Sequence, residues 1–155
     1  MGGLEFAPAE EGDVAGIEAL VRAAYEPYVE RIGDEPGPLR DDYTAIVADG
    51  RATVVRRDGA VVALLVISVA ADHVLVENVA VAESERGSGL GGRLLDLADE
   101  RAREAGLGEV RLYTNAAMTE NLQYYPRRGF RETGRRVDGG FSRVFFSRRV
   151  DRDGR

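Results

Sequence analysis

The residues whose types and spacing best suit chemistry lie in the segment Val79–Gly92, which reads VAVAESERGSGLGG. An apolar, strand-like run ends there, a short polar loop follows, and Arg86 with four glycines leads into a Leu-rich helical pattern. Glycines let a backbone approach a ligand closely, and the first turn of a helix offers unpaired N–H groups to an anion. The segment therefore predicts a site for a phosphate group of a cofactor.

Two familiar nucleotide-binding loops fit this segment poorly. Gly87–Gly92 formally matches the G-x-G-x-x-G pattern of Rossmann folds, but Rossmann glycines follow their strand almost at once, and here Ala82–Arg86 intervene. The next predicted strand ends in Tyr113-Thr114-Asn115, without the acidic residue that would bind a ribose. A Walker P-loop is excluded because no Lys follows the glycines.

A second motif, Tyr125–Phe130, reads YPRRGF and places a Tyr four residues before Gly129-Phe130. The glycine segment itself contains R-x-x-G-x-G at Arg86–Gly91, entered from a Val-Ala-Val strand. Together the two motifs, separated by one helix and one strand, resemble the signatures of the GNAT superfamily of N-acetyltransferases, and the order of elements is similar over nearly the full length. The resemblance implies acetyl transfer from acetyl-CoA to a primary amine, with the glycine loop binding the pyrophosphate of the coenzyme.

Hydrophobic periodicity and turn residues predict the elements that would position these motifs. The expected elements before the glycine loop are a strand at Leu4–Ala7, a helix with Asp13 as N-cap that Pro27 kinks or ends, a loop at Arg31–Leu39, a helix at Arg40–Ala48, and strands at Ala52–Arg56, Ala60–Val69 and His73–Val81. Those after it are a helix at Ser88–Glu104 that buries Leu90, Leu94, Leu97 and Ala98, a strand at Glu109–Asn115, a helix at Ala117–Arg127 weakened by Pro126, and a hairpin of Phe130–Val137 and Phe141–Val150.

Only the unit from His73 to Asn115 has the form of a parallel βαβ crossover, so the sheet should be mixed. The predicted fold class is α/β (α+β), a GNAT-like and mostly antiparallel central sheet of about seven strands flanked by four helices. At 155 residues the chain fits a single N-acetyltransferase domain, 1–155, with a polar tail at 151–155.

Composition narrows the classes of protein and of site. The hydrophobic fraction of 44% and the charged fraction of 31% are typical of a globular protein, and no apolar run approaches the roughly 18 residues that a membrane span needs. The N-terminus lacks the basic and apolar regions of a secretion signal, so we expect a cytoplasmic protein without a membrane partner. Because the chain has no Cys and only one His, His73, we expect no metal site and direct transfer without a cysteine intermediate.

Charge is distributed unevenly along the chain. Residues 1–85 hold 6 Arg and 17 acidic residues, whereas residues 86–155 hold 15 Arg and 10 acidic residues. An acidic half could attract a cationic substrate and a basic half an anionic cofactor, although solvated faces explain the same asymmetry. The overall net charge of −6 argues against nucleic acid as a partner.

Acetyl transfer to an amine requires a proton acceptor, donors for the oxyanion and a proton for the leaving thiolate. The resemblance implies Glu77 as the general base and Tyr125 as the general acid, while Tyr124 is assigned to packing. Strand alternation places Glu77 and Asn78 on opposite faces, so only one should face the reacting groups unless a bulge intervenes. An exposed strand Glu is the alternative interpretation of Glu77.

The resemblance also implies which residues hold the coenzyme. In similar enzymes a backbone N–H of this strand stabilises the oxyanion, which points to Val79 and Ala80, and backbone groups of Val79 and Val81 would pair with pantetheine. Similar proteins often have an Asn seven residues before the catalytic Tyr, where this chain has Met118; Asn115 and Asn121 are candidates to replace it, or are turn and cap residues. The expected coenzyme-binding residues are Val79, Ala80, Val81, Arg86, Gly87, Ser88, Gly89, Leu90, Gly91, Gly92, Asn115 and Asn121.

The acceptor stays open between a small amine and a protein N-terminus or lysine. In similar proteins the region around Arg31–Leu39 shapes the acceptor site, which implicates Tyr28, Tyr43 and Asn78, although tyrosines flanking this loop, Tyr25 included, are also explained by helix packing. The short, Pro- and Gly-rich segment favours a small molecule. A non-catalytic acyl-CoA-binding module remains an alternative, and homodimers are common among similar proteins. His73, beside Asp72, is expected as a turn residue rather than a base.

Overall fold

The computed structural model describes residues 3–151, so residues 152–155 of the expected polar tail lie outside the described residues. The strands in this part of the chain are β1 (Leu4–Pro8), β2 (Ala52–Arg57), β3 (Ala60–Val69), β4 (Val74–Val81), β5 (Glu109–Asn115), β6 (Arg131–Asp138) and β7 (Phe141–Arg149). Its helices of six or more residues are α1 (Val14–Tyr25), α2 (Tyr43–Ala48), α3 (Leu90–Glu104) and α4 (Thr119–Arg127). Shorter helical turns lie at Glu11–Asp13, Glu26–Tyr28, Val29–Ile32, Gly37–Leu39 and Glu83–Glu85.

The seven strands form one mixed sheet in the order β1-β2-β3-β4-β5-β7-β6. The pairs β1–β2, β2–β3, β5–β7 and β6–β7 are antiparallel. The pair β4–β5 is parallel, with Val74 opposite Val110 and Val76 opposite Leu112, and α3 connects the two strands. The predicted fold class is therefore confirmed, including the central βαβ unit.

The residue types in the two-residue turn explain why the β2–β3 hairpin could be predicted from the sequence. Asp58 and Gly59 both have positive φ, +53° and +82°, which matches the right-handed twist of the strands they connect. Both strands begin and end within one residue of their predicted bounds.

The described residues cluster into two compact units, the first made of residues 3–67 and 78–95. Its core contains Ile17, Leu20 and Val21 of α1, whose i, i+3, i+4 spacing places them on one face of the helix. They pack in one cluster with Ile46 of α2 and with buried residues of the strands, namely Ala52, Val54, Leu64, Val66 and Ala80. Burying each large aliphatic side chain contributes about 1.5–3 kcal/mol, so this cluster is the main stabilising feature of the unit.

Asp13 precedes α1 as expected, but its side chain does not cap the helix. Its carboxylate accepts a hydrogen bond from the Glu10 backbone N–H and binds the Arg56 guanidinium, with Nε at 2.9 Å and Nη2 at 2.6 Å. The hydrogen bonds from Arg56 hold the pKa of Asp13 below its usual range. The prediction of a capping carboxylate was wrong because an ion pair between largely buried side chains competes for the same oxygens.

Four helix boundaries differ from the predictions, one of them being the start of α4 at Thr119 rather than Ala117. Helix α2 begins at Tyr43 rather than Arg40, because Asp42 accepts a hydrogen bond from the Ala45 backbone N–H at 3.1 Å and so acts as the N-cap. The predicted loop at Arg31–Leu39 starts inside the helical turn Val29–Ile32, which ends at Gly33 with φ +87°. Helix α3 starts at Leu90 instead of Ser88, and it buries Leu95 fully while Leu97 is only half-buried.

The second unit contains residues 68–77 and 96–151. Val110, Leu112 and Thr114 alternate as buried residues along β5, as the sequence predicted, and Val144 and Phe146 are buried on the paired strand β7. Arg148 donates to Asp99 at 3.0 Å and to the Arg128 carbonyl at 2.7 Å, which ties α3, α4 and β7 together within this unit.

Candidate active site

The glycine loop leaves β4 at Val81, passes through the helical turn Glu83–Glu85 and enters α3 at Leu90. Gly87 and Gly89 have φ of +82° and +84°, a backbone conformation that favours glycine. A side chain added at either position would meet nothing within 4 Å, so both glycines face open space. These positive φ values are also the reason that the helix cannot start at Ser88.

The N-terminus of α3 presents backbone donors next to these glycines. The first hydrogen bond closing the helix runs from the Arg93 N–H to the Gly89 carbonyl at 3.1 Å. The N–H groups of Leu90, Gly91 and Gly92 therefore precede the first intrahelical bond and have no carbonyl partner in the helix. A helix of 15 residues adds a partial positive charge at this end, so the loop suits an anion.

Two residues that the sequence analysis missed hold the loop in place. Arg57, the last residue of β2, donates to both carboxylate oxygens of Glu85, from Nε at 2.7 Å and from Nη2 at 3.1 Å. The Glu85 carbonyl in turn accepts from the Ser88 hydroxyl at 2.5 Å. The available signal was an acidic residue directly before a predicted phosphate loop, which requires a neutralising partner.

Strand β4 carries five candidate residues in regular alternation. Asn78 and Ala80 are buried, whereas Glu77, Val79 and Val81 are half-buried, and the alternation is unbroken from Val74 to Val81. Glu77 and Asn78 therefore lie on opposite faces of the strand.

Asn78 is the centre of a chain of hydrogen bonds inside the first unit. The Tyr25 hydroxyl donates to Asn78 Oδ1 at 2.7 Å, Asn78 Nδ2 donates to the Tyr43 hydroxyl at 3.0 Å, and the Tyr43 hydroxyl donates to the Pro38 carbonyl at 2.7 Å. Burial raises the pKa of Tyr25 well above its ordinary value, which keeps the donating hydroxyl protonated. The segment around Pro38 is thereby fastened to β4.

Of the three expected acceptor residues, Tyr43 and Asn78 are hydrogen-bonded to each other, whereas the ring of Tyr28 packs on a different side chain. The Tyr28 ring instead lies under the Arg31 guanidinium, 4.8 Å from its centroid. Tyr25, the last residue of α1, supplies the hydroxyl that donates to Asn78.

Removing the Tyr25 hydroxyl should destabilise the protein. Tyr25→Phe leaves Asn78 Oδ1 buried without its donor, which costs about 1–3 kcal/mol and lowers the unfolding temperature by about 2–4 °C per kcal/mol. Tyr113→Phe is the matched control, because Tyr113 is an exposed tyrosine of β5, and it should change stability by less than about 0.5 kcal/mol. Thermal and urea unfolding followed by circular dichroism measure both variants, and equal stability of the two would contradict the network.

The second motif has a clear structural role at the end of α4. The Phe130 N–H donates to the Tyr125 carbonyl at 3.1 Å and the Gly129 N–H donates to the Pro126 carbonyl at 3.1 Å, while Gly129 has φ +85°. This is a Schellman motif, in which the residue after the glycine packs on the residue that accepts its bond. The Tyr125 and Phe130 rings accordingly meet edge to face, 5.8 Å apart.

Tyr125 is held firmly within the second unit. It is 7% exposed, and its ring also contacts Phe146 at 5.7 Å and Tyr124 at 5.3 Å. Tyr124 is half-buried and lies under the Arg128 guanidinium, in agreement with a packing role. Packing therefore fixes the direction of the Tyr125 ring before any ligand is present.

The two asparagines near α4 make different contacts. Asn115 Oδ1 accepts from the Ala117 N–H at 2.9 Å, which makes Asn115 a turn residue at the end of β5. Asn121 Nδ2 donates to the Thr114 hydroxyl at 2.9 Å, and its Oδ1 has no protein partner among residues 3–151. Met118, at the position usually held by Asn, is buried and accepts a weak hydrogen bond from Thr114 at 3.8 Å. The side-chain carbonyl of Asn115 is thus engaged in a turn, whereas Asn121 is engaged through its amide nitrogen.

His73 lies in the turn before β4, with Nδ1 2.6 Å from an Asp72 carboxylate oxygen. No group of three or more His, Cys, Asp or Glu side chains that could hold a metal ion occurs in the described part of the chain. Likewise, none of the helices within residues 3–151 is long and apolar enough to span a membrane.

Comparison with known proteins decides the family. Residues 17–130 match the Acetyltransferase (GNAT) family. The chain is also 30% identical over 129 residues to a protein named IAA acetyltransferase from Azospirillum brasilense, and the match covers 82% of each chain. The chain belongs to the GNAT family of acetyltransferases. The inferred enzyme class, an acyltransferase that uses acetyl-CoA as donor, is thereby confirmed.

Solved GNAT structures share the fold of this acetyltransferase. The PaiA N-acetyltransferase from Thermoplasma acidophilum, solved in complex with coenzyme A, superposes with a TM-score of 0.79 at 12% identity, covering 96% of this chain and 99% of that one. The ribosomal-protein-S18-alanine N-acetyltransferase from Escherichia coli gives 0.69 at 16% identity, covering 96% and 94%. At these identities the likeness establishes the fold of the GNAT domain and nothing about its acceptor.

Proposed function

We propose that this GNAT enzyme transfers the acetyl group of acetyl-CoA directly to the primary amine of a small acceptor molecule. The observation that carries the proposal is the glycine loop, whose Gly87 and Gly89 face open space at positive φ beside the unpaired first turn of α3. Backbone N–H groups of Gly87–Gly92, with the Arg86 side chain, would hold the diphosphate of the coenzyme. Acetyl-CoA supplies the activated acetyl group when bound.

The residues fit the coenzyme by charge as well as by shape. Arg86, Ser88 and both open glycines are exposed, and Glu85 just before them is paired with Arg57. Asn121 Oδ1 is available to pantetheine as an acceptor, while Asn115 contributes mainly by shaping the turn. Backbone groups of Val79 and Val81 in β4 would pair with pantetheine as an added strand does.

Glu77 takes a proton from the acceptor ammonium, directly or through water, in this proposal. An alkylamine with a pKa near 10.4 is neutral to less than about 0.1% at pH 7, so a base increases the reactive fraction. The neutral nitrogen attacks the thioester carbonyl carbon, and a backbone N–H of β4, that of Val79 or of Ala80, stabilises the oxyanion that forms. When the C–S bond breaks, Tyr125 donates its phenolic proton to the leaving thiolate sulfur, and the tyrosinate takes up the proton that the acetylated nitrogen loses.

Replacing Glu77 by Gln should lower the rate in a pH-dependent manner. Loss of general-base catalysis reduces kcat/KM for the acceptor by about 100-fold at pH 7. The deficit should shrink as the pH approaches the amine pKa near 10.4, because free amine then forms without assistance. Rate profiles of Glu77→Gln and the native enzyme from pH 6 to 10 measure this, and a pH-independent deficit would remove Glu77 as the base.

The charges of residues 26–42, the segment proposed to shape the acceptor site, favour a small cation. Residues 26–42 contain six exposed acidic residues and two arginines, so an ammonium group is attracted there. The same segment is closed on itself by the Arg40–Asp34 contact at 2.6 Å and fastened by Tyr43 to Pro38. A closed loop of this kind limits the length of an acceptor, which supports a small amine over a protein.

Release of free coenzyme A across a panel of amines tests this function. The panel combines small mono- and polyamines with peptides bearing a free N-terminus or a lysine, and each rate is corrected for hydrolysis of acetyl-CoA. Turnover limited to small amines agrees with the proposal, and faster turnover of peptides would overturn the acceptor class. Tight coenzyme binding without turnover on any amine would identify a non-catalytic acyl-CoA-binding module.

A further inference from the structure

The Glu85 carboxylate lies in an unusual place for an anion. It is 8% exposed and stands two residues before Gly87, at the start of the loop proposed to bind a diphosphate. The hydrogen bonds from Arg57 hold the pKa of Glu85 below its ordinary value, so the carboxylate is charged at neutral pH. Unpaired, this charge would repel the phosphates of a coenzyme.

Glu85 also controls the path of the loop through its main chain. Its N–H donates to the Ala82 carbonyl at 2.9 Å, and its carbonyl accepts from the Ser88 hydroxyl at 2.5 Å. Glu85 therefore bonds to the residue that follows β4 and to the residue that precedes Gly89. The Glu85 side chain accepts two hydrogen bonds from Arg57 of β2. These bonds fix the position of the segment from Ala82 to Ser88.

We infer that Arg57 is a positioning residue for the coenzyme, which acts through Glu85 by fixing the glycine loop and by neutralising the carboxylate. Arg57 lies 28 residues before Glu85 in sequence and belongs to a different strand. A loop that is already ordered binds its ligand without the entropy loss of ordering. The inference rests on the proposed diphosphate site, and the tests below separate the two.

Arg57→Leu tests the role of the ion pair between Arg57 and Glu85. The variant should weaken coenzyme A binding about tenfold or more, because the loop loses its anchor and gains an unpaired carboxylate. The KM for acetyl-CoA should rise by a similar factor, while the acceptor KM and the kcat at saturating acetyl-CoA stay within about threefold, since only the coenzyme loop is affected. Isothermal titration with coenzyme A and steady-state kinetics measure these quantities.

Two further variants distinguish positioning from general destabilisation. Arg56→Leu is the matched control, because Arg56 is the adjacent residue of β2 and pairs with Asp13 and Glu5 rather than with the loop. It should lower the unfolding temperature and leave coenzyme A affinity unchanged. Arg57→Leu combined with Glu85→Gln should recover part of the lost affinity, because the unpaired charge is removed.

The outcomes of these experiments distinguish a failure of the role of Arg57 from a failure of the diphosphate site. Equal loss of coenzyme A affinity in Arg57→Leu and Arg56→Leu, or unchanged affinity in Arg57→Leu, would overturn the role of Arg57. If Gly89→Glu abolishes coenzyme A binding and Arg57→Leu does not affect it, the inference fails while the diphosphate site stands. If Gly89→Glu binds coenzyme A normally, the diphosphate site itself fails.

Discussion

Gly89→Glu is expected to abolish coenzyme A binding, with an affinity loss of at least about 100-fold. A carboxylate beside the first turn of α3 repels the diphosphate, and its side chain fills the open space next to the loop. Loss of two charge-assisted hydrogen bonds, each contributing about 1.5 kcal/mol or more, accounts for this factor. Isothermal titration with coenzyme A measures the effect directly.

Gly50→Glu is the control that distinguishes loss of the diphosphate site from the strain of placing a side chain at positive φ. Gly50 has φ +72°, close to the +84° of Gly89, and a side chain there also meets nothing within 4 Å. Both substitutions impose a similar cost of about 1–2 kcal/mol for positive φ, so their unfolding temperatures should fall together. Weakened coenzyme A binding in Gly50→Glu to the same extent as in Gly89→Glu would mean that strain, not the site, explains the result.

Tyr125→Phe is expected to reduce kcat by about 100-fold or more and to leave coenzyme A affinity within about threefold. The variant keeps the ring that packs on Phe130 and Phe146, so the end of α4 should stay folded. The substitution removes the phenolic proton proposed for the leaving thiolate. Stopped-flow or steady-state release of coenzyme A, with titration of affinity in parallel, gives both quantities.

Tyr124→Phe is the control for this substitution. Its ring meets Tyr125 edge to face, and it occupies the adjacent position of the same helix. It should retain turnover within about twofold, because Phe keeps the ring that packs on Tyr125 and Arg128. Unchanged kcat in Tyr125→Phe would remove Tyr125 as the acid and leave the Schellman motif as the sole explanation of the YPRRGF sequence.

The order of elements was predictable because short-range signals agree with the fold. The residues of β4 alternate between buried and half-buried, and the turn at Asp58-Gly59 requires the positive φ that these residue types allow. Helix ends were less predictable, since a hydrogen bond from a single side chain decides them. Asp42 rather than Arg40 starts α2 because its carboxylate reaches the Ala45 N–H.

The supports of the candidate site could not be predicted, because they join distant residues. Tyr25 and Asn78 are 53 positions apart, and Arg57 and Glu85 are 28 apart. The residue types that form such bonds also occur on solvent-exposed faces, where they do not bond to one another. Their presence in the sequence therefore does not identify a pair. The motifs at Arg86–Gly91 and Tyr125–Phe130 were legible because the backbone itself determines them, through glycines that require positive φ.

The most direct test of the account is a titration of the ¹⁵N-labelled full chain with coenzyme A, followed by amide NMR shifts. We predict that the N–H resonances of Gly87–Gly92 shift most, and that pantetheine, which lacks the diphosphate, leaves them in place. Coenzyme A that binds without moving these six amides, or that does not bind, would contradict the central claim that the first turn of α3 holds the diphosphate.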